Sequence, residues 1–286
     1  MNALASPTVP RDLRAKVVSN VAIAPLAFEL RFEETAAPGS RPELRYEPGE
    51  FIQLTGWSQS DPLLRRPMSV LDWGRAPDGR VWASFLYQAT GRGTRIFAGL
   101  RAGDPIRALG PLGNRFSAPS RAGVALVVAG GVGVAPFLLL ARKLRAEGRE
   151  VVVLLGARDR EHLYLEDALA REGARVKTVT EKGDHGGPRG LVTALLEAEI
   201  EARGPDGIAR VYSCGPEPML RAVHAVARAR GVPGEASLER RMACGFGVCF
   251  TCVCPMVDPR TGEAHNRRTC LDGPVVGFDA LPLGGF

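Results

Sequence analysis

The chain has 286 residues, 45% of them hydrophobic and 24% charged, with a formal charge of +6. That length exceeds one small core and predicts two domains with an appendage, and no run of eighteen apolar residues exists to form a transmembrane helix. The basic residues are nearly all arginine and lie singly or in pairs such as Arg65-Arg66 and Arg240-Arg241, which argues against a phosphate-tracking stripe and a nucleic-acid partner.

The first residues, "MNALASPTVPRDLRAKVV", carry no apolar segment behind a basic start, so they do not read as a secretory signal. A cytoplasmic protein is expected, its thiols kept reduced, which disfavours a disulfide framework for the six cysteines.

Residues 13–118 read as short strands. "AKVVSNVAI", "AFELRFE", "FIQLT", "MSVLDW" and "VWASFLYQA" are rich in β-branched and aromatic residues and are bounded by Gly, Pro or Asp. Many short strands at this spacing predict an antiparallel barrel or sandwich.

The pattern changes at residue 122. "VALVVA" is a continuous apolar run, and "GGVGVAPFLLLARKLRAEG" takes up helical periodicity. A strand "VVVLLG", a helix "REHLYLEDALAREG", a strand "RVKTVT", a helix "GLVTALLEAEIEA", a strand "RVYSC" and a helix "PMLRAVHAVARARG" follow. Alternating buried strands and helices predict a parallel sheet with helices on both faces, over 122–232. "GVPGE" then links into a cysteine-rich segment, 237–286, without helical period.

Three stretches suit a phosphate-bearing cofactor. Gly130, Gly131 and Gly133 stand at a strand-to-helix turn, where main-chain N–H groups and the helix N-terminus favour an anion, and Pro136 suits the first helical turn. Pro136 also stands where a dinucleotide fingerprint has its third glycine, so a plain tight turn remains the alternative. Cys214, Gly215 and Pro216 fall at the carboxyl edge of the last strand, where ligands bind in open parallel sheets; Cys214 reads equally as a small buried group. Arg66 can pair with phosphate oxygens, and Gly91, Gly93 and Thr94 can offer donors, but an exposed arginine and a polar turn would look the same.

"RRPMSV", "LYQATGRGT", "GPLGN", "GGVGVAP" and "CGPEPML" occur in the order found in the ferredoxin–NADP reductase superfamily, and "ACGFGVCFTCVC" resembles the iron–sulfur tail of one branch, the electron-transfer subunits of NAD-dependent dihydroorotate dehydrogenases. The resemblance spans about residues 13–276. It implies a multi-domain chain: an antiparallel FAD-binding β-barrel (13–118), an α/β parallel-sheet NAD-binding domain (122–232) and a small [2Fe–2S] lobe (237–286). Arg66, Pro67, Met68 and Ser69 would bind FAD, the arginine on the pyrophosphate and Ser69 near the ring. Leu86, Tyr87 and Gln88 would line it, and Gly93 with Thr94 would hold the pyrophosphate. Gly130, Gly131, Gly133, Pro136, Cys214, Gly215 and Pro216 would form the nicotinamide-nucleotide side. Whether Arg158 attracts a 2′-phosphate or Asp159 takes a ribose stays open.

Cys244, Cys249 and Cys252 have the C-x₄-C-x₂-C spacing of plant-type [2Fe–2S] proteins, and Cys270 can supply the fourth thiolate. Gly245 and Gly247 would let a tight loop wrap the cluster, and Arg240 and Arg241 would offset its charge. Zinc is the rival for four thiolates, although such sites usually bring two C-x₂-C pairs. Cys254 reads as a small buried residue. The four histidines are scattered and read as surface residues.

The resemblance implies an electron-transfer flavoprotein passing electrons from the FMN of a separate catalytic subunit, through the cluster and FAD, to NAD⁺, in a heterotetramer of two copies of each chain. The rivals are a diaphorase subunit of a sulfhydrogenase or of a ferredoxin/NADPH oxidoreductase complex, and a non-enzymatic zinc-binding scaffold.

Overall fold

The computed structural model describes residues 10–35, 45–57 and 61–282. Its first part is a sheet built from β1 (Arg11–Ala24), β2 (Ala27–Glu34), β3 (Phe51–Thr55), β4 (Arg66–Ser69), β5 (Asp72–Arg75), β6 (Val81–Gln88) and, after helix α1 (Arg92–Ala98), β7 (Pro105–Leu112). The seven strands run antiparallel in the order β4-β3-β7-β1-β2-β6-β5.

"MSVLDW", expected as one strand, is split between the two edges. Val70 N–H donates to the Glu50 carbonyl and Leu71 N–H to that of Ser84, so the link curls the sheet towards closure. Every second residue then points inward: Ile52 and Leu54, Ala83, Phe85 and Tyr87, Ile106 and Ala108 share one core.

The second part runs β8 (Val124–Gly130), α2 (Phe137–Ala146), β9 (Val151–Ala157), α3 (Glu166–Arg171), β10 (Arg175–Thr180), α4 (Val192–Arg203), β11 (Ile208–Cys214), α5 (Glu217–Ala229) and β12 (Gly234–Ser237). These five strands are parallel. Their apolar runs serve two cores. Val127, Val153 and Leu155 meet α2 and α3 on one face, while Leu126, Val128 and Leu154 meet α4 and α5 on the other. The helix expected over 160–173 is shortened to α3, which starts at Leu165 in a left-handed conformation (φ 63°). The residues before it are tied to the cleft instead: His162 to Asp159, and Tyr164 to Gln88.

The cysteine-rich part folds as a hairpin, β13 (Val253–Val257) and β14 (Ala264–Arg268), a short helix α6 (Thr269–Asp272) and β15 (Val275–Gly277). β15 adds to β12 antiparallel as the sixth strand of the parallel sheet. Asn114, just beyond β7, grips the same segment. Its side chain donates to the Val275 carbonyl and accepts from the Val275 N–H, both at 2.8 Å.

The two large parts are also joined. Leu139 of α2 inserts into the barrel core, and Arg142 bridges Asp72 of β5 (2.6 Å) to Glu172 (2.7 Å). Among the described residues no helix is long and apolar enough to cross a membrane.

Candidate functional site

A cleft of about 720 Å³ opens at the carboxyl ends of the parallel strands, where ligands sit in such sheets. It brings together Gly130, Gly131, Gly133, Gly215 and Pro216 from the nucleotide motifs with Gln88 from the barrel. The glycines differ in what they do. Gly131 has φ +53° with open space where a Cβ would be, which leaves its backbone free for a ligand. A Cβ on Gly133 would stand 2.6 Å from the Cys214 carbonyl oxygen, so this glycine lets the loop close on the end of β11.

Pro136 is buried at the start of α2 and does not line the cleft. Cys214 is 2% exposed, and burial pushes its thiol far above the ordinary range, so it stays neutral and unreactive.

The cleft has an edge that sequence reading left open. Asp159, buried behind β9, accepts from Lys182 Nζ (2.9 Å) and Arg158 Nε (3.2 Å) and is bonded to His162 Nδ1. Lys182 and His162, ahead of Arg158, hold its carboxyl well below the usual carboxylate range. Both carboxylate oxygens are thus engaged, and Arg158 and His162 form the wall.

Around the barrel mouth, Arg66 lies against Gly93. A Cβ there would stand 2.7 Å from Arg66 Nε, so the glycine makes the cradle in which the guanidinium sits. Arg66 Nη1 is held by the Leu64 carbonyl at 2.6 Å. Thr94 has its hydroxyl engaged at the start of α1, accepting from Gly91 N–H and donating to Gly91 O at 3.0 Å each.

Strand alternation sorts the remaining candidates. Met68 packs into the barrel core, while Pro67 and Ser69, opposite Gln53 and Phe51, face the cysteine-rich part. On β6, Leu86 and Gln88 face the cleft side. Tyr87, expected at the flavin, turns its ring the other way, stacks on Phe28 (5.5 Å) and donates to Asn20 Oδ1 (3.0 Å). Only its main chain is left for a cofactor.

None of the six cysteines is in a disulfide. Four thiols fall into two pairs: Cys249 is within hydrogen-bonding reach of Cys244, and Cys270 of Cys252. Before any metal binds, the Thr251 hydroxyl and the Cys244 N–H draw Cys249 down to about 6, while burial holds Cys270 up at about 12. Four thiolates are the donor set a [2Fe–2S] cluster needs.

Arg268, not Arg240 or Arg241, secures the loop by donating to the Gly247 carbonyl (2.9 Å). Arg240 is drawn off to Glu217 and Cys254. Cys254 is 2% exposed and packs in the sheet's second core, away from the pairs.

Phe246, Val248, Phe250 and Leu271 stand 44–68% exposed around the thiols. His224, expected at the surface, is 3% exposed. It falls on the face of α5 shared by Leu220, Val223 and Ala227, and its ring meets Phe278 at 5.3 Å.

Comparisons with known proteins bear on the family and the fold. Residues 239–281 match the family described as the iron-sulfur cluster binding domain of dihydroorotate dehydrogenase B, and residues 127–225 the oxidoreductase NAD-binding domain. The chain is 33% identical to a Desulforamulus reducens protein named dihydroorotate dehydrogenase B (NAD(+)), electron transfer subunit, over 91% of this chain and 94% of that one. A Bacillus velezensis protein of the same name is 38% identical over 83% and 88%.

Among solved structures, an NADH-dependent reduced ferredoxin-NADP oxidoreductase matches with a TM-score of 0.75 and 24% identity, over 94% of this chain and 90% of that one. A Neisseria gonorrhoeae ferredoxin NADP+ reductase with bound FAD and NADP matches with a TM-score of 0.61 and 21% identity, over 77% and 92%. These two likenesses speak for the fold: a curled antiparallel sheet followed by a nucleotide-binding α/β unit.

Proposed function

The chain belongs to the family of dihydroorotate dehydrogenase B (NAD(+)) electron transfer subunits, and on that premise we propose how its own residues serve that role. It is an oxidoreductase subunit that carries electrons from a catalytic partner to NAD⁺ with the help of FAD and a [2Fe–2S] cluster. When bound, the cluster would supply one-electron transfer and the flavin the exchange between single electrons and a hydride pair. The chain supplies seats, distances and exclusion of water, and no side chain is required as acid or base.

Cys244, Cys249, Cys252 and Cys270 would hold the two irons. Arg66, settled against Gly93, pairs with the FAD pyrophosphate, with the start of α1 at Thr94 beside it. Pro67, Ser69, Leu86, Gln88 and the main chain of Tyr87 flank the ring, and Met68 supports β4 from the core side. Gly130, Gly131, Gly215 and Pro216 receive the nicotinamide nucleotide. Gly133, Pro136 and Cys214 keep that loop against β11.

The observation that carries the reading is the packing of Cys252 and Cys270 against Phe51, on the face of the barrel where Ser69 and Pro67 stand opposite Phe51 and Gln53. It supports a cluster held next to the flavin. The exposed apolar collar of Phe246, Val248 and Phe250 is where a partner would cover the cluster. That partner is the FMN-bearing catalytic subunit, in an assembly of two copies of each chain.

The test is reduction of NAD⁺ by dihydroorotate with this chain, the catalytic subunit, or both. Turnover is expected only with both, while the chain alone oxidises NADH with an artificial acceptor. Dihydroorotate-dependent turnover by the chain alone would sink the assignment. Co-purification with a hydrogenase or glutamate-synthase-like subunit in its place would favour the diaphorase rivals.

A further inference from the structure

Gln53 lies in the middle of β3 and is fully buried, yet neither its side-chain nitrogen nor its side-chain oxygen has a hydrogen-bond partner. Buried amides are almost always satisfied, so an orphan of this kind calls for a group that the protein alone does not supply. Its neighbourhood indicates which. Alternation along β3 sends Ile52 and Leu54 into the barrel core and Phe51 and Gln53 to the opposite face. On that face Phe51 clusters with Cys252, Cys270 and Leu112, and Leu109, the residue paired with Gln53 on β7, packs against that cluster. Gly245, in the loop between Cys244 and Cys249, has φ +81°, and a Cβ there would stand 2.5 Å from Gln53 Nε2. The amide therefore lies against the cluster loop. On its other side the paired residue is Pro67, in the flavin-binding stretch of β4.

We propose that the side-chain N–H of Gln53 donates a hydrogen bond to a sulfur of the cluster held by Cys244, Cys249, Cys252 and Cys270, and that this bond raises the cluster's reduction potential. The inference rests on the cluster assignment above and deepens it by naming a residue of the barrel that tunes the centre. Reduction adds one electron, and with it one negative charge, to a group already anionic. A donor aimed at sulfur stabilises the reduced form more than the oxidised one. Gln53 touches the cluster and needs no titration to act.

The experiment uses the full chain carrying both cofactors. An anaerobic redox titration follows the reduced cluster by EPR and the flavin by its visible absorbance. In Gln53→Met, which keeps the volume and loses the donor, the reduced-to-oxidised ratio of the cluster at the wild-type midpoint is expected to fall by up to about tenfold, about 59 mV for a one-electron couple. Iron content and the flavin midpoint should stay as in the wild type. Gln53→Glu, which keeps the length and acceptors but removes the N–H₂ group, should shift the cluster in the same direction.

A second reading needs no variant. Wild-type chain labelled with ¹⁵N in the glutamine side chain should show a weak nitrogen coupling to the reduced cluster in pulsed EPR. An unchanged cluster midpoint in loaded Gln53→Met, or no such coupling in the wild type, overturns the proposal and leaves the cluster assignment standing. A wild-type chain that binds no cluster at all overturns the assignment beneath it as well.

Discussion

The guanidinium of Arg66 rests on the backbone of Gly93, so closely that even a methyl group there would stand 2.7 Å from its Nε. A strand and a helix distant in sequence thus make one seat. Gly93→Ala is expected to push the guanidinium out of line and weaken FAD binding about tenfold, roughly 1.4 kcal/mol. Arg66→Ala, which removes a charge-assisted pair worth about 1.5–3 kcal/mol, should weaken it about 10- to 100-fold. Quenching of FAD fluorescence on titration with apo-protein measures both, and equal affinity in all three proteins would place the pyrophosphate elsewhere.

The cysteines divide into ligands and a bystander. Cys244→Ser, Cys249→Ser, Cys252→Ser or Cys270→Ser should each lose the reduced-cluster EPR signal, whereas Cys254→Ala should keep two irons and two acid-labile sulfides per chain. Loss of iron on changing Cys254 alone would contradict the pairing.

Gly133 closes on the Cys214 carbonyl, and backbone cannot give way as a side chain can. Gly133→Ala is therefore expected to destabilise the nucleotide sheet by about 1–3 kcal/mol, read as a lower Tm. At Gly131 an added methyl meets open space, and the cost is confined to its positive φ, about 1–2 kcal/mol. There the stronger effect should be a higher KM for the nicotinamide nucleotide. A Tm for Gly133→Ala equal to the wild type would show that the loop can shift freely.

Glu50, 5% exposed at the barrel rim, is pushed up to about 7, chiefly by burial, against the opposing hydrogen bond from the Glu47 N–H. Because its folded value lies above its ordinary 4.5, the fold favours the protonated acid. That contribution is complete below pH 4.5 and disappears as the pH rises through 7, a span worth about 3 kcal/mol. Glu50→Gln should thus gain stability over the wild type as the pH climbs across this window. Two Tm-versus-pH curves that stay parallel would refute the burial argument.

The collar around the thiols should matter to assembly and not to the cofactors. Val248, 68% exposed, changed to Glu is expected to weaken association with the catalytic subunit at least tenfold in sedimentation, with iron, flavin and NADH–dye activity unchanged. Unaltered association would move the interface away from the cluster.

Much of this was legible from residue order because the signals were local. Continuous apolar runs such as "VALVVA" announce strands buried on both faces, and the cysteine spacing is a property of one loop. What escaped depends on direction and on distant contacts. Tyr87 was expected at the flavin, but only the packed sheet shows that its neighbours Leu86 and Gln88 take the cleft side. β7 escapes because Pro105, Gly110 and Pro111 read as turn residues, although Ile106 and Ala108 alternate with the exposed Pro105 and Arg107. His224 reads as polar, yet it belongs to the buried face of α5. Nothing around Gln53 marks it, and "GPLGN" does not show what its Asn114 grips, since each acquires its role from a segment far along the chain.

Asn114 and β12 both grip Val275, and Cys270 sits on the short helix just before it. The fourth thiol is thus anchored, through β15, to a residue from the first part of the chain and a strand from its middle. A change that loosens either anchor, far from the cysteines in sequence, therefore reaches the metal site through that one short strand.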